Sequence, residues 1–190
     1  MAVTAQRFTF DEWVDSPFNT ARGELVDGIP VERMTTSGHH GLVVKRLERW
    51  LDQAEAAGYG QRFSGPTGVL LDATSTRANV REPDVYFFRQ DQPILLPSKG
   101  IEGLPDLVIE VLSPGNRSDD LTGGSVWETY ERFAVPAYWI VDIDARTVTQ
   151  YVHRNGRFRE VAVRYPGEGL QSSLFPGAIL SVDSLFQGLD

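Results

Sequence analysis

The segment Leu107-Val-Ile-Glu-Val-Leu112 is apolar at every position except Glu110. It lacks the alternation of a strand wetted on one side, and fits a strand covered on both faces. That requires a sheet with helices packed on it, and it places Glu110 in a dry environment. An ionised carboxylate there costs several kcal/mol unless it is paired or bound to a metal. A second apolar run, Val85-Tyr-Phe-Phe88, starts directly after Pro83-Asp84. If the two strands pair antiparallel through the connection 89–105, the start of the first lies beside the end of the second. Asp84 then meets Glu110. Two carboxylates brought together in a dry site repel, and a cation between them resolves the conflict. In the alternative reading, Asp84 caps a turn after Pro83 and Glu110 pairs with an arginine.

The rest of the chain reads as a mixed α/β protein. Thr9, with Glu12 three residues on, predicts a short capped helix over 9–15. Asp27-Gly28 and Asn155-Gly156 predict hairpin turns, the second joining strands over 146–152 and 157–163. From Ser37 a helical stripe runs through Val43, Leu47, Trp50, Leu51 and Ala54 and stops at Gly58. A strand is expected near 68–71, a helix over 125–134 carrying Val126, Tyr130 and Phe133, and a strand after Pro136. A strand near Ile179 and a helical turn near Leu185 close the chain. With no repeat and no low-complexity linker, the 190 residues read as one domain, 1–190. Helices and strands alternate, but hairpins interrupt them, so a mixed sheet flanked by helices is expected.

Composition narrows the chemistry. The chain has no cysteine, which excludes disulfides, thiolate zinc sites, iron–sulfur clusters and cysteine nucleophiles. Any metal is therefore expected to be a hard cation held by oxygen. The net charge of -8 argues against a protein that coats nucleic acid nonspecifically. No apolar run has the length to cross a bilayer, and Met1 to Asp15 carries no signal-peptide pattern, so a cytoplasmic location is expected. The only lysines are Lys45 and Lys99.

Five blocks occur in order: Glu24-Leu-Val-Asp-Gly, Ser37-Gly-His-His40, Glu82-Pro-Asp84, Pro105-Asp-Leu-Val-Ile-Glu-Val-Leu-Ser-Pro114 and Val135-Pro-Ala-Tyr-Trp-Ile-Val-Asp142. Together they resemble the Uma-two family of endonucleases in the PD-(D/E)XK nuclease superfamily, from about Phe8 to Ser184. The resemblance implies a restriction-endonuclease-like core, with Asp84 and Glu110 binding Mg²⁺ (Mn²⁺ as substitute) and hydrolysing DNA phosphodiesters. It also implies that Glu24 is an accessory acid and that His40, at the start of the first long helix, belongs to the site. The plainer readings stay open: Glu24 flanks a hairpin, and His40 occupies a helical turn. Cleaving both strands of a duplex would favour a homodimer.

The sequence departs from that pattern at one point. Relatives carry a lysine on the helix after the second acid, where an ammonium helps position water and stabilise developing charge. Counting back from Tyr130 puts Val126 there, and counting forward from Asp120-Leu121 puts Gly124 there. Neither is lysine. Lys45 points away from its helix's apolar stripe, and Lys99 falls in a loop. Arg117 is the best-placed cation and suits bidentate phosphate binding, its plainer reading being a solvated loop arginine. A catalytically silent member of the fold, acting as a nucleic-acid-binding or assembly module, is the rival function. The hairpin with Arg146, Arg154, Arg157, Arg159 and Arg164 is a further candidate nucleic-acid surface, its plainer reading being an edge strand protected by charge.

Overall fold

A computed structural model of the chain describes residues 6–19, 23–33, 36–72, 77–94, 100–113 and 115–189. From the N-terminus the elements are α1 (Phe10–Val14), β1 (Gly23–Val26), β2 (Ile29–Glu32), α2 (Gly38–Ala56), β3 (Gly60–Ser64), β4 (Val69–Asp72), β5 (Asn79–Arg81), β6 (Val85–Arg89), β7 (Ile101–Glu102) and β8 (Leu107–Val111). Then follow α3 (Arg117–Asp120), α4 (Ser125–Arg132), β9 (Ala137–Asp142), β10 (Thr147–Arg154), β11 (Arg157–Arg164), β12 (Gly169–Leu170), β13 (Leu180–Ser181) and α5 (Val182–Phe186). The chain divides into two compact units. One draws on Met1–Met34, Gly65–Pro83 and Pro93–Leu104, the other on Thr35–Ser64, Asp84–Gln92 and Pro105–Asp190.

The first unit is built on a five-stranded sheet in the order β2-β1-β5-β4-β7. Thr9 caps α1 as its sequence requires. Its hydroxyl accepts from the Glu12 N–H, and the Glu12 carboxylate accepts from the Thr9 N–H, which holds that carboxyl below its usual range. Asp27 and Gly28 take φ of 49° and 77°, the left-handed pair that a two-residue turn between β1 and β2 needs. Phe8, Trp13, Leu25, Leu70, Ala78 and Val80 form the unit's core.

The second unit holds a six-stranded sheet in the order β11-β10-β9-β8-β6-β3. Only β8 and β9 run parallel in it, so the sheet is mixed, as the interleaved hairpins imply. Helix α2 starts at Ser37, whose hydroxyl accepts from the His40 N–H, and it buries all five residues of the expected stripe. They pack on Val85, Phe87, Leu107, Ile109, Val111, Trp139 and Val141. On α4, Trp127 and Tyr130 pack against Tyr138, and Trp127 also meets Phe158 of β11. Every residue of β8 is buried, matching its uninterrupted apolar sequence. Lys45 is exposed, as its place off the stripe implies, and Lys99 lies outside the described residues.

Several elements differ from expectation. Helix α4 ends at Arg132 rather than 134, because Ala134 turns out of the helix at φ 58°. Strand β3, Gly-Gln-Arg-Phe-Ser, is an edge strand with no apolar alternation to mark it. Strand β5 contains Arg81, an unusual residue for a wholly buried strand. Among the described residues no helix is long and apolar enough to cross a membrane.

Candidate metal centre

Strand pairing brings Asp84 and Glu110 together. β6 and β8 are antiparallel with Val85 opposite Ile109, so Asp84, the residue before Val85, comes level with Glu110. The two are then locked reciprocally. The Val111 N–H donates to Asp84 Oδ2 at 2.8 Å, and the Asp84 N–H donates to Glu110 Oε2 at 3.5 Å. Each carboxylate is therefore held by the main chain of the strand that carries the other. Glu110 is 0 % exposed, whereas the Asp84 side chain keeps 16 % of its surface, so only the aspartate is reached by solvent.

Two helices complete the surroundings. From the first turn of α2, His40 Nε2 lies 3.0 Å from Asp84 Oδ2. An ionised carboxylate only accepts, so Nε2 carries the proton in this contact. From α4, the Tyr130 hydroxyl donates to Glu110 Oε1 at 3.3 Å. Asp84 Oδ1 accepts no hydrogen bond among the described residues. As ligands the pair fits a hard divalent cation in kind, being two carboxylates with one oxygen uncommitted. Among the described residues no group of three or more His, Asp or Glu side chains is arranged to hold a metal ion.

Glu24 belongs to the first unit, on β1. It is 1 % exposed, and both its oxygens are engaged. Oε2 accepts from Arg81 at 2.9 Å, while Oε1 accepts from the Glu82 N–H at 2.9 Å and faces Arg33 at 3.5 Å. It thus fixes the backbone two residues ahead of Asp84 in the chain. Arg117, at the start of α3, donates to Asp142 at 2.6 Å through one terminal nitrogen. That hydrogen bond raises the guanidinium pKa. Burial pulls the Asp142 carboxyl upward, but the Arg117 and Ala145 donors leave it below its usual range.

The structure also separates the two places considered for a lysine. Gly124 is the N-cap of α4, and a Cβ there would lie 2.2 Å from the Ser118 carbonyl oxygen and 2.3 Å from that of Asp119. Only glycine fits. Val126, 2 % exposed, lies one helical turn before Tyr130 and on the same face. The buried face of α4 that carries Tyr130 therefore holds a valine, not a cation, at position 126.

Arg81 and the Tyr130 hydroxyl are absent from the sequence-derived site. The helical stripe gives the burial of Tyr130 but not the partner of its hydroxyl. An arginine in a short run beside Val80, one residue before Glu82-Pro-Asp84, was the available signal for a buried ion pair.

The sequence matches the Uma2 family, described as a putative restriction endonuclease, over residues 10–183. No curated protein matches it. Among solved structures, the crystal structure of a putative nuclease of DUF820 from Anabaena variabilis aligns at TM-score 0.72 with 20 % identity. The alignment covers 94 % of this chain and 97 % of that one, a likeness in fold.

Proposed function

This chain belongs to the Uma2 family, and from that premise we propose that it is a metal-dependent endonuclease hydrolysing DNA phosphodiesters at Asp84 and Glu110. The observation that carries the reading is the reciprocal lock of these two carboxylates across a buried strand pair. Mg²⁺, or Mn²⁺ in its place, held by the two would polarise the phosphoryl group and lower the pKa of an attacking water. His40 holds Asp84 Oδ2, and Oδ1 is left to serve as a ligand. Tyr130 orients the Glu110 carboxylate from the opposite helix. Glu24 acts through the main chain, setting the path of Glu82-Pro83 into Asp84. Arg117 keeps further N–H donors beside the one given to Asp142, and they can meet a phosphate.

The test is cleavage of plasmid and single-stranded DNA with Mg²⁺ or Mn²⁺ by the protein and by Asp84→Ala. Loss of cleavage in the variant is expected. Equal cleavage by both would remove Asp84 from the reaction. Tyr130→Phe should lower stability by about 1 kcal/mol. It should also shift the midpoint of the Mn²⁺-dependent rise in Tm about fivefold towards higher Mn²⁺, on the same hydrogen-bond energy. An unchanged midpoint would exclude Tyr130 from orienting Glu110.

A second reading has one observation in its favour: Val126 on the inner face of α4 supplies no cation. In that reading the chain is a silent member of the fold that binds nucleic acid without cutting it. It predicts no Mn²⁺-dependent rise in Tm, whereas the first reading requires one.

A further inference from the structure

The hairpin of β10 and β11 concentrates charge in a way the rest of the chain does not. Between residues 146 and 164 stand five of the 18 basic residues and one of the 26 acidic ones, Glu160. Two of the five arginines are committed: Arg146 donates to the Leu189 carbonyl and Arg164 pairs with Glu168 at 3.8 Å. Arg154, Arg157 and Arg159 are exposed and make no ion pair among the described residues. All three flank the Asn155-Gly156 turn. The register sets Arg154 directly opposite Arg157 and Arg159 opposite Val152, so the three side chains rise from one face of the hairpin.

Two like charges placed directly opposite on paired strands destabilise the hairpin, and an anion between them reverses the sign. Protection of a sheet edge accounts for charges on β11, which is the edge strand. It does not account for Arg154, which stands on β10. Along β11, Arg157 and Arg159 are two residues and about 6.6 Å apart, a step comparable to that between successive phosphates of a nucleic-acid strand. The nearby aromatic rings are not available to stack on bases. Phe158 is buried, and Tyr151 packs edge-on to Trp127 with ring centroids 4.8 Å apart. Towards α4, Arg157 and Arg159 border a cleft of about 350 Å³ that Glu128 and Glu131 also line. Those carboxylates repel phosphate, which leaves the outer side of the hairpin to receive it.

We infer that Arg154, Arg157 and Arg159 form a docking surface for the phosphate backbone of nucleic acid, without base readout. The choice of nucleic acid as the polyanion rests on the nuclease reading above. The surface is separate from the carboxylate pair. Glu110 is level with Ile140 and Thr149, so Arg154 stands five residues further along β10 and β11 three strands over. With about 3.3 Å per residue and about 4.8 Å per strand, the separation is on the order of 20 Å.

The test is fluorescence anisotropy of a labelled duplex in EDTA, where no cleavage intervenes, across a salt series. The expected result for the triple variant Arg154→Gln, Arg157→Gln, Arg159→Gln is a fall of roughly tenfold or more in affinity at low salt. The slope of log K against log salt should become shallower by about 2 to 3, at about 0.9 per phosphate contact. Arg49→Gln, an exposed arginine on α2, should leave the affinity and the slope unchanged. Equal affinity and slope in the parent and the triple variant, or no duplex binding by the parent, would overturn the surface. Tight binding of polyglutamate in place of duplex would overturn its assignment to nucleic acid. The two proposals fail separately. If Asp84→Ala cleaves like the parent while the triple variant loses binding, the nuclease site is wrong and the docking surface stands. The reverse pattern removes the surface alone.

Discussion

Glu24→Ala is expected to cost about 3–5 kcal/mol of folding stability, the usual cost of removing one partner from a buried ion pair. Glu24 and Arg81 are each 1 % exposed and 2.9 Å apart, so the alanine takes a carboxylate partner from a guanidinium held in a dry interior. The same substitution takes away the acceptor of the Glu82 N–H. Against a total stability typically of about 5–15 kcal/mol, this is a large fraction. Urea denaturation should show a lower midpoint with little change in slope, because the surface exposed on unfolding is unchanged. Glu24→Gln keeps an oxygen for the Glu82 N–H but removes the charge opposite Arg81, so it should fall between the parent and the alanine. A loss below about 1 kcal/mol for the alanine would mean that Arg81 finds water or another acceptor, as at a surface pair. The glutamine variant also separates two roles. Parental stability with a lost Mn²⁺ response would make Glu24 a ligand. Lost stability with a retained Mn²⁺ response makes it the anchor of the backbone before Asp84.

That anchor marks the boundary of what the sequence conveys. The pairing of Asp84 with Glu110 could be read from two apolar strands and the connection between them, because antiparallel pairing with a single internal connection leaves little freedom in register. Helix α2 was equally readable, since its cap, its stripe and its stop are all local signals. The Glu24–Arg81 pair was not. Its members are 57 positions apart, and the strand Asn79–Arg81 is too short to show a period. What matters for Arg81 is a charge meeting its partner across a sheet, which no local pattern records. Tyr130 is an intermediate case. Its spacing with Val126 gives the buried face of α4, but the partner of its hydroxyl depends on how α4 lies against β8. The hairpin arginines show the reverse limit: the sequence displays all five, and only the structure separates the two that are committed from the three that are not.

Val126→Lys is expected to raise Mg²⁺-dependent cleavage by at least about tenfold, the effect of roughly 1.4 kcal/mol of added transition-state stabilisation. Position 126 shares a helix face with Tyr130, whose hydroxyl already reaches Glu110. The side chain of a helical residue leans towards the N-terminus of its helix, so a lysine at 126 extends from the turn before Tyr130. Its long stem can carry the ammonium towards the carboxylates while its methylenes occupy part of the space left by the valine. Burying a lysine normally costs stability or its charge, and here the carboxylate pair compensates it. The variant should therefore stay folded, and Asp84→Ala in the same background should abolish the gain. Gly124→Lys is the contrasting case. A Cβ 2.2 Å from the Ser118 carbonyl oxygen forces the start of α4 to move, so that variant should lose stability and gain no cleavage. If Val126→Lys folds and binds Mn²⁺ yet cleaves no faster than the parent, the missing ammonium is not what limits this site. If it cleaves faster, a single valine on the buried face of α4 limits the rate of this site.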